Sequence, residues 1–234
     1  SFLEEWWNEW EIRPYTMNAY LMVDPASSKK KESNRTAMAI VGVDANYNKY
    51  LLDGVCHRMS LSERWETLKR LRTKWKRAPG IREVKTGYER YGAQSDIEHF
   101  KEMMRIDGSS FPIYELNWVG GGGSQSKKDR IQRLEPDLKD GSFFWPYPTD
   151  KKRLTSLQRD TKDNKQDFLI SKKIMRKDEN GKLYDLVKWV KDNEYSLFPT
   201  IHPDFLDALS RIYDMDPVPP ISRSYRVLEP EAEA

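Results

Sequence analysis

Ala19-Tyr20-Leu21-Met22-Val23-Asp24-Pro25 is a short apolar run closed by an acid and a proline. Such a run reads as a buried strand whose ladder stops where the proline begins. A polar loop from Ala26 to Asn34 follows, with Lys29, Lys30 and Lys31 at its centre. Next, Thr36-Ala37-Met38-Ala39-Ile40-Val41-Gly42-Val43 reads as a second strand. The Asn46-Tyr47-Asn48 turn leads into a third, Lys49-Tyr50-Leu51-Leu52-Asp53-Gly54-Val55. Three strands with short connections predict an antiparallel meander at the start of the fold.

Working outward, Ser60 to Trp75 reads as a helix, with Ser60 or Ser62 as its cap and Leu61, Trp65, Leu68 and Leu71 at helical spacing. Pro79-Gly80 ends it, and Ile81 to Tyr88 returns as a strand. A helix is expected from Gln94 to Met104, a strand from Phe111 to Trp118, and a flexible loop at Gly120 to Gly123. Another helix is expected around Lys127 to Leu134, then a short strand at Phe143-Phe144-Trp145. Asp178-Glu179-Asn180-Gly181 carries the Asn-Gly hairpin signal, although Leu183 to Lys191 also reads as a helix start. Pro203 to Tyr213 is a helix with proline in a tolerated first-turn position. Three strands, helix, strand, helix, strand, helix predict an α/β fold, a mixed sheet flanked by helices. That is the element order of an RNase H-like domain, here with a basic β-hairpin insertion.

The 234 residues suffice for one domain with a real core, and no low-complexity linker divides the middle of the chain. Eight Trp, twelve Tyr and eight Phe are too many apolar anchors for a disordered chain. No apolar run approaches the ~20 residues that a membrane-spanning helix needs, and the Glu- and Trp-rich start, Ser1 to Trp10, does not read as a signal peptide. One cysteine, Cys56, excludes an internal disulfide framework and a Cys-based zinc site. Net charge is only +3, but Lys151 to Lys177 holds ten Lys or Arg against three Asp. That run reads either as a solvated face or as a surface for a phosphate backbone.

Four acidic residues, on three elements, fall where a sheet-and-helix fold would bring them together. Asp24 ends the first strand, Glu89 ends the strand from Ile81, and Asp204 and Asp207 lie three residues apart on one helix face. Converging carboxylates repel without a cation. Oxygen ligands without a His or Cys cluster select Mg²⁺ or Mn²⁺. Two such ions ~4 Å apart activate water and stabilise the leaving oxygen of a phosphodiester. Among the other candidates, His202 reads as a substrate contact or a packing residue. His57 and His99 read as structural or surface residues, and no nucleophile role is expected of Cys56.

The same segments resemble the nuclease domain of viral (bacteriophage) terminase large subunits. The resemblance rests on Tyr20-Leu21-Met22-Val23-Asp24-Pro25-Ala26 with Thr36-Ala37, on Gly87-Tyr88-Glu89-Arg90-Tyr91-Gly92-Ala93-Gln94, and on Lys128-Asp129-Arg130-Ile131 followed by Leu134, Pro136 and Gly141. His202-Pro203-Asp204-Phe205-Leu206-Asp207-Ala208-Leu209 is similar to the family's closing His-Asp-Asp-x-x-Asp-Ala, with Pro203 in place of the first Asp. Asn34 stands where relatives often carry Asp. The resemblance covers about residues 15 to 215 and implies a metal-dependent endonuclease that cuts double-stranded DNA during viral genome packaging, with little sequence specificity. Asp24, Glu89 and Asp204 would hold Mg²⁺ or Mn²⁺, two ions in all, with Asp207 a fourth ligand or a neighbour of the ligands. The Pro203 departure leaves the choice between Asp204 and Asp207 open.

The resemblance further implies an ATPase motor that this chain lacks, since it has no G-x-x-x-x-G-K-[ST] loop. Residues 1–15 would then be a linker remnant, 16–215 the nuclease domain and 216–234 an extended tail. Trp6, Trp7 and Trp10 are expected to pack on the domain or on the motor. A portal and a small terminase subunit are implied partners, and the host cell cytoplasm the implied location. DNA-backbone contacts are expected from Lys127, Lys128 and Arg130 and from the hairpin carrying Lys172, Lys173, Arg176 and Lys177. A catalytically silent docking module and another RNase H-like nuclease, such as a resolvase, are the competing readings.

Overall fold

The computed structural model describes residues 1–25, 35–90, 94–118 and 124–221. The Lys-rich loop with Asn34, the four-glycine loop and the tail beyond 221 lie outside the described residues. In chain order the strands are β1 (Asn8–Trp10), β2 (Met17–Asp24), β3 (Thr36–Val43), β4 (Lys49–His57), β5 (Ile81–Glu89), β6 (Ile113–Leu116), β7 (Phe143–Pro146), β8 (Met175–Lys177) and β9 (Leu183–Asp185). The helices are α1 (Leu61–Lys76), α2 (Gln94–Asp107), α3 (Ser124–Gln132), α4 (Glu135–Lys139), α5 (Ser156–Asp163), α6 (Leu186–Val190) and α7 (Asp204–Ser210). No helix among the described residues is long and apolar enough to cross a membrane.

Seven strands form one mixed sheet in the order β1-β7-β4-β3-β2-β5-β6, and β8 and β9 form a separate hairpin. β2, β3 and β4 are the expected antiparallel meander. β5 joins β2 in parallel and β6 joins β5 in parallel, completing the expected mixed sheet. Almost every residue of β2, β3 and β4 is buried because helices cover both faces. One face packs Tyr20, Met22 and Ala39 against Leu186 of α6 and Phe205 and Leu209 of α7. The other packs Leu21, Val23 and Ile40 against Trp65 and Leu68 of α1 and Phe100 of α2. This two-sided burial explains why the strands read as continuous apolar runs rather than as alternation.

Local chemistry sets several boundaries. Ser60, not Ser62, caps α1, accepting from the Glu63 amide at 3.2 Å. Gly80 follows with φ of +82°, and a Cβ there would lie 1.8 Å from the Tyr15 carbonyl oxygen, so only glycine closes this turn into β5. The strand expected from Phe111 shortens to Ile113–Leu116. Both readings of the hairpin segment are present, since β9 runs directly into α6.

Residues 1–15, expected as linker, contribute an edge strand: β1 pairs in parallel with β7. Trp7 stacks on Trp145 with ring centroids 4.1 Å apart, and the Trp10 indole donates to the Leu51 carbonyl at 3.0 Å. At the other end, the Val218 amide donates to the Tyr20 hydroxyl at 2.8 Å. Both termini of the described chain are therefore tied to the sheet.

Gly54 of β4 is where α6 and α7 approach the sheet. A Cβ there would meet the Met38 carbonyl oxygen at 2.6 Å and the Phe205 ring at 2.9 Å. Backbone cannot swing aside, so Gly54→Ala is expected to destabilise the protein by about 1–3 kcal/mol in urea unfolding. An unchanged midpoint would mean that α7 does not press on β4 as described.

Candidate active site

β2 and β5 run in parallel with Val23 opposite Tyr88, so the next residues, Asp24 and Glu89, emerge side by side at the strand ends. Alternation puts Asp24 on the face of Tyr20 and Met22, the face covered by α7. α7 begins at the same edge, where Asp204 and Asp207 occupy its first turn. Three elements thus deliver four carboxylates to one place. Asp24 lies close enough to Asp207, Glu89 and Asp204 to be repelled by all three.

Cations answer them. On α3, the Lys127 ammonium lies 3.1 Å from Asp204 and 3.7 Å from Asp207. The Arg130 guanidinium grips Asp207 through two bonds of 3.0 and 2.9 Å. One turn further, Arg133 grips Asp214 at 2.8 and 2.9 Å. Arg211, 1% exposed, lies 3.1 Å from Glu89 and 2.8 Å from Asp214. Asp24 accepts no hydrogen bond or ion pair from the described residues.

The titration of these groups follows. Burial pushes the Asp24 carboxyl well up, and Asp207, Glu89 and Asp204 push it further against the pull of Lys127. Burial also raises Glu89, partly offset by Arg211 and Arg130. Burial alone would lower Lys127, but Asp24, Asp207 and Asp204 outweigh it and push the ammonium up to about 12. The edge is therefore electronegative, and Lys127 sits where a cation is most favoured.

The start of α7 has Pro203 at its cap position and no side-chain cap of its own. Buried Glu194 substitutes, accepting from the amides of Phe205 at 3.2 Å and Leu206 at 2.9 Å. Burial lifts its carboxyl to about 7 despite those two bonds. Neither Glu194 nor Arg211 stands out in the sequence. Glu194 caps from eleven and twelve residues away, and Arg211 is an ordinary arginine one turn beyond the acids.

The oxygen-only donors fit Mg²⁺ or Mn²⁺, and Asp24, which has no hydrogen bond or ion pair among the described residues, is the carboxylate most open to one. Among the described residues, however, no group of three or more His, Cys, Asp or Glu side chains is arranged to hold a metal ion. The reason is visible in the pairing: Asp204 and Asp207 are turned onto Lys127 and Arg130, and Glu89 onto Arg211.

The chain is similar in fold to viral terminase nuclease domains. The nuclease domain of human cytomegalovirus terminase, in a manganese-soaked form, shares 12% identity over 88% of this chain and 84% of that one, with a TM-score of 0.45. The fowlpox virus Holliday junction resolvase shares 13% identity over 65% of this chain and 93% of its own, at a TM-score of 0.34. The large terminase of bacteriophage HK97 shares 16% identity over 77% of this chain and 37% of its own, at 0.32. No protein-family model and no curated protein sequence matches the chain.

The residues expected to contact DNA divide. Lys127 and Arg130 belong to the acid cluster. Arg176, expected on the DNA track, instead folds back onto buried Asp53 and donates to the Gly54 carbonyl at 3.0 Å. A guanidinium so close to a buried carboxylate gains more there than on a solvated phosphate. Lys172, Lys173 and Lys177 are exposed, and Lys128 is half-buried on α3. His57 is structural, bonded through Nδ1 to the Tyr184 hydroxyl at 2.8 Å, and buried Cys56 has its thiol pushed well up by burial.

Two measurements check this electrostatic account. Asp24→Asn removes a buried, repelled charge and is expected to raise the melting temperature in EDTA by a few degrees; a lowered one would contradict the repulsion. A carboxyl raised from 4.5 to about 7 binds more protons in the folded state, so its contribution to stability falls as pH rises through that window. Wild type is therefore expected to lose on the order of 1–3 kcal/mol more than Glu194→Gln between pH 4.5 and 7.5. Parallel pH profiles for the two proteins would show that Glu194 titrates normally.

Proposed function

We propose that this chain is a metal-dependent endonuclease that cleaves double-stranded DNA, acting during viral genome packaging. The observation that supports the reading is the convergence of Asp24, Glu89, Asp204 and Asp207 from β2, β5 and α7 on one electronegative edge. The packaging role follows the order of the terminase-like motifs along the chain. With it come a motor, a portal and a small terminase subunit as partners, and the host cytoplasm as location.

Asp24 and Glu89, fixed side by side by strand pairing, are the primary oxygen donors for Mg²⁺ or Mn²⁺. Lys127 must release Asp204, or Lys127 and Arg130 must shift on Asp207, before either acid can join them. When bound, such ions would supply Lewis acidity to the attacking water and to the leaving oxygen. Once freed, Lys127 is placed to meet the negative charge of the scissile phosphate, and Arg130 holds Asp207 in register. Glu194 fixes the start of α7 and so the position of Asp204. Lys128, Lys172, Lys173 and Lys177 are the cations left to follow the DNA backbone, without reading bases.

A second reading is favoured by one observation, the pairing of Asp204, Asp207 and Glu89 with Lys127, Arg130 and Arg211. An acid cluster neutralised from within would suit a silent DNA-docking module. Supercoiled plasmid incubated with Mg²⁺, Mn²⁺ or EDTA separates the two. Metal-dependent nicking and linearisation are expected for wild type, with a loss of at least ~100-fold in Asp24→Ala and Glu89→Ala while both stay folded. Cutting at the wild-type rate by both variants would sink the nuclease assignment to these acids. Plasmid binding with no cutting would leave the docking module, or a nuclease that acts only with its motor.

A further inference from the structure

On the face of the sheet packed by α1, away from the acids, a pocket of about 300 Å³ opens between α1, β4 and the segment leading into β8. Five cations line it, Arg13, Lys74, Lys172, Lys173 and Arg176, against one acid, Asp53. The pocket thus concentrates more positive charge than the net +3 of the whole chain.

Asp53 does not neutralise it. At 1% exposure its carboxylate is fully used, by Lys74 at 2.8 Å, the Trp75 indole at 2.9 Å, the Gly54 amide at 2.8 Å and Arg176. It orients Lys74 and Arg176 as a buried anchor. Arg13 is 2% exposed and pairs with no carboxylate among the described residues. Its guanidinium donates only to the carbonyls of Pro14 at 3.0 Å, Tyr15 at 3.1 Å and Pro79 at 2.8 Å, and its Nε has no partner. A buried cation without a counter-charge is costly, and an anion in the adjoining pocket relieves it. Lys172 and Lys173, exposed at the rim, likewise have no carboxylate partner among the described residues. Trp75 and Phe168, the latter 38% exposed, add aromatic surface. Clustered cations beside aromatic rings in a volume at the lower end of small-ligand sites suit a nucleotide, its sugar phosphate on the cations and its flat base on the rings.

We propose that this pocket is a second phosphate site, separate from the acid cluster, which takes a nucleotide phosphate supplied either by a free mononucleotide or by a DNA end. Occupation would join β4, α1 and the segment before β8 from the face opposite the acids. The site does not depend on the catalytic reading of the acids, because it needs no metal and shares no residue with the acid cluster, although Lys172 and Lys173 also belong to the proposed DNA track.

The test is calorimetric titration of the full chain in EDTA with inorganic phosphate, with dAMP, and with a short oligonucleotide bearing or lacking a 5′-phosphate. Binding is located by the Trp75 indole N–H signal in nitrogen–proton correlation spectra. Saturable binding of phosphate and dAMP that moves this signal supports a free-nucleotide site. Binding by the 5′-phosphorylated oligonucleotide alone, with the same signal moved, supports a DNA end. In either case Lys172→Ala/Lys173→Ala is expected to weaken binding about tenfold, with no change in Lys101→Ala/Lys139→Ala or Asp24→Asn. No saturable binding of any probe overturns the proposal. So does an equal loss in the Lys101/Lys139 control, which would reveal attraction to lysines in general. Phe168→Ala is expected to weaken dAMP but not inorganic phosphate.

Discussion

The parallel pairing of β2 with β5 is the constraint on which the rest of the acid edge depends. It brings Asp24 and Glu89 out of the sheet together, and the first turn of α7 adds Asp204 and Asp207. That much negative charge in a half-buried place is unfavourable unless cations are held nearby. α3 and the residue just beyond its end hold them at three-residue spacing: Lys127, Arg130 and Arg133 meet Asp204, Asp207 and Asp214 along α7 and the turn after it. Arg211 links Glu89 to Asp214 and closes the set. Partly buried ion pairs add modest net stability, whereas removing one partner leaves the other charge stranded. The clamp between α3 and α7 therefore fixes the position of the acids more than it stabilises the fold.

The same clamp explains why Lys127 is both structural and chemical. Its ammonium occupies the centre of the electronegative edge and is held protonated there. Any other cation must compete with it for Asp204 and Asp207. Asp24 accepts no hydrogen bond or ion pair from the described residues and feels Lys127 only through its charge. The acid that ends the deciding strand is thus also the one with the most to gain from a cation.

Legibility in the sequence followed the range of the interactions. The meander, α1, β5 and α7 were readable because each is announced by a local pattern: an apolar run, a serine cap, helical spacing. The three acid-bearing segments were readable because each acid sits at the end of such an element. What escaped depends on distant partners. Glu194 caps α7 across eleven residues, and Trp7 finds Trp145 across most of the chain. α5 was a different kind of omission. Its capping box, Thr155 with Gln158, is written in the sequence but lies inside the basic run.

That basic run also shows why a count of charges predicts a surface poorly. Arg176 is consumed by Asp53, and α5 turns a local stretch into a helix anchored by buried Gln158. Only where a lysine has no carboxylate within reach, as at Lys172 and Lys173, is positive charge left for a partner. Arginine's planar fork makes it the residue drawn inward to a buried acid, while lysine's strongly hydrated ammonium stays at the rim. The division of one basic segment between an internal anchor and an exposed rim follows from that difference. It also fills the pocket above β4 with charge although the chain as a whole is nearly neutral.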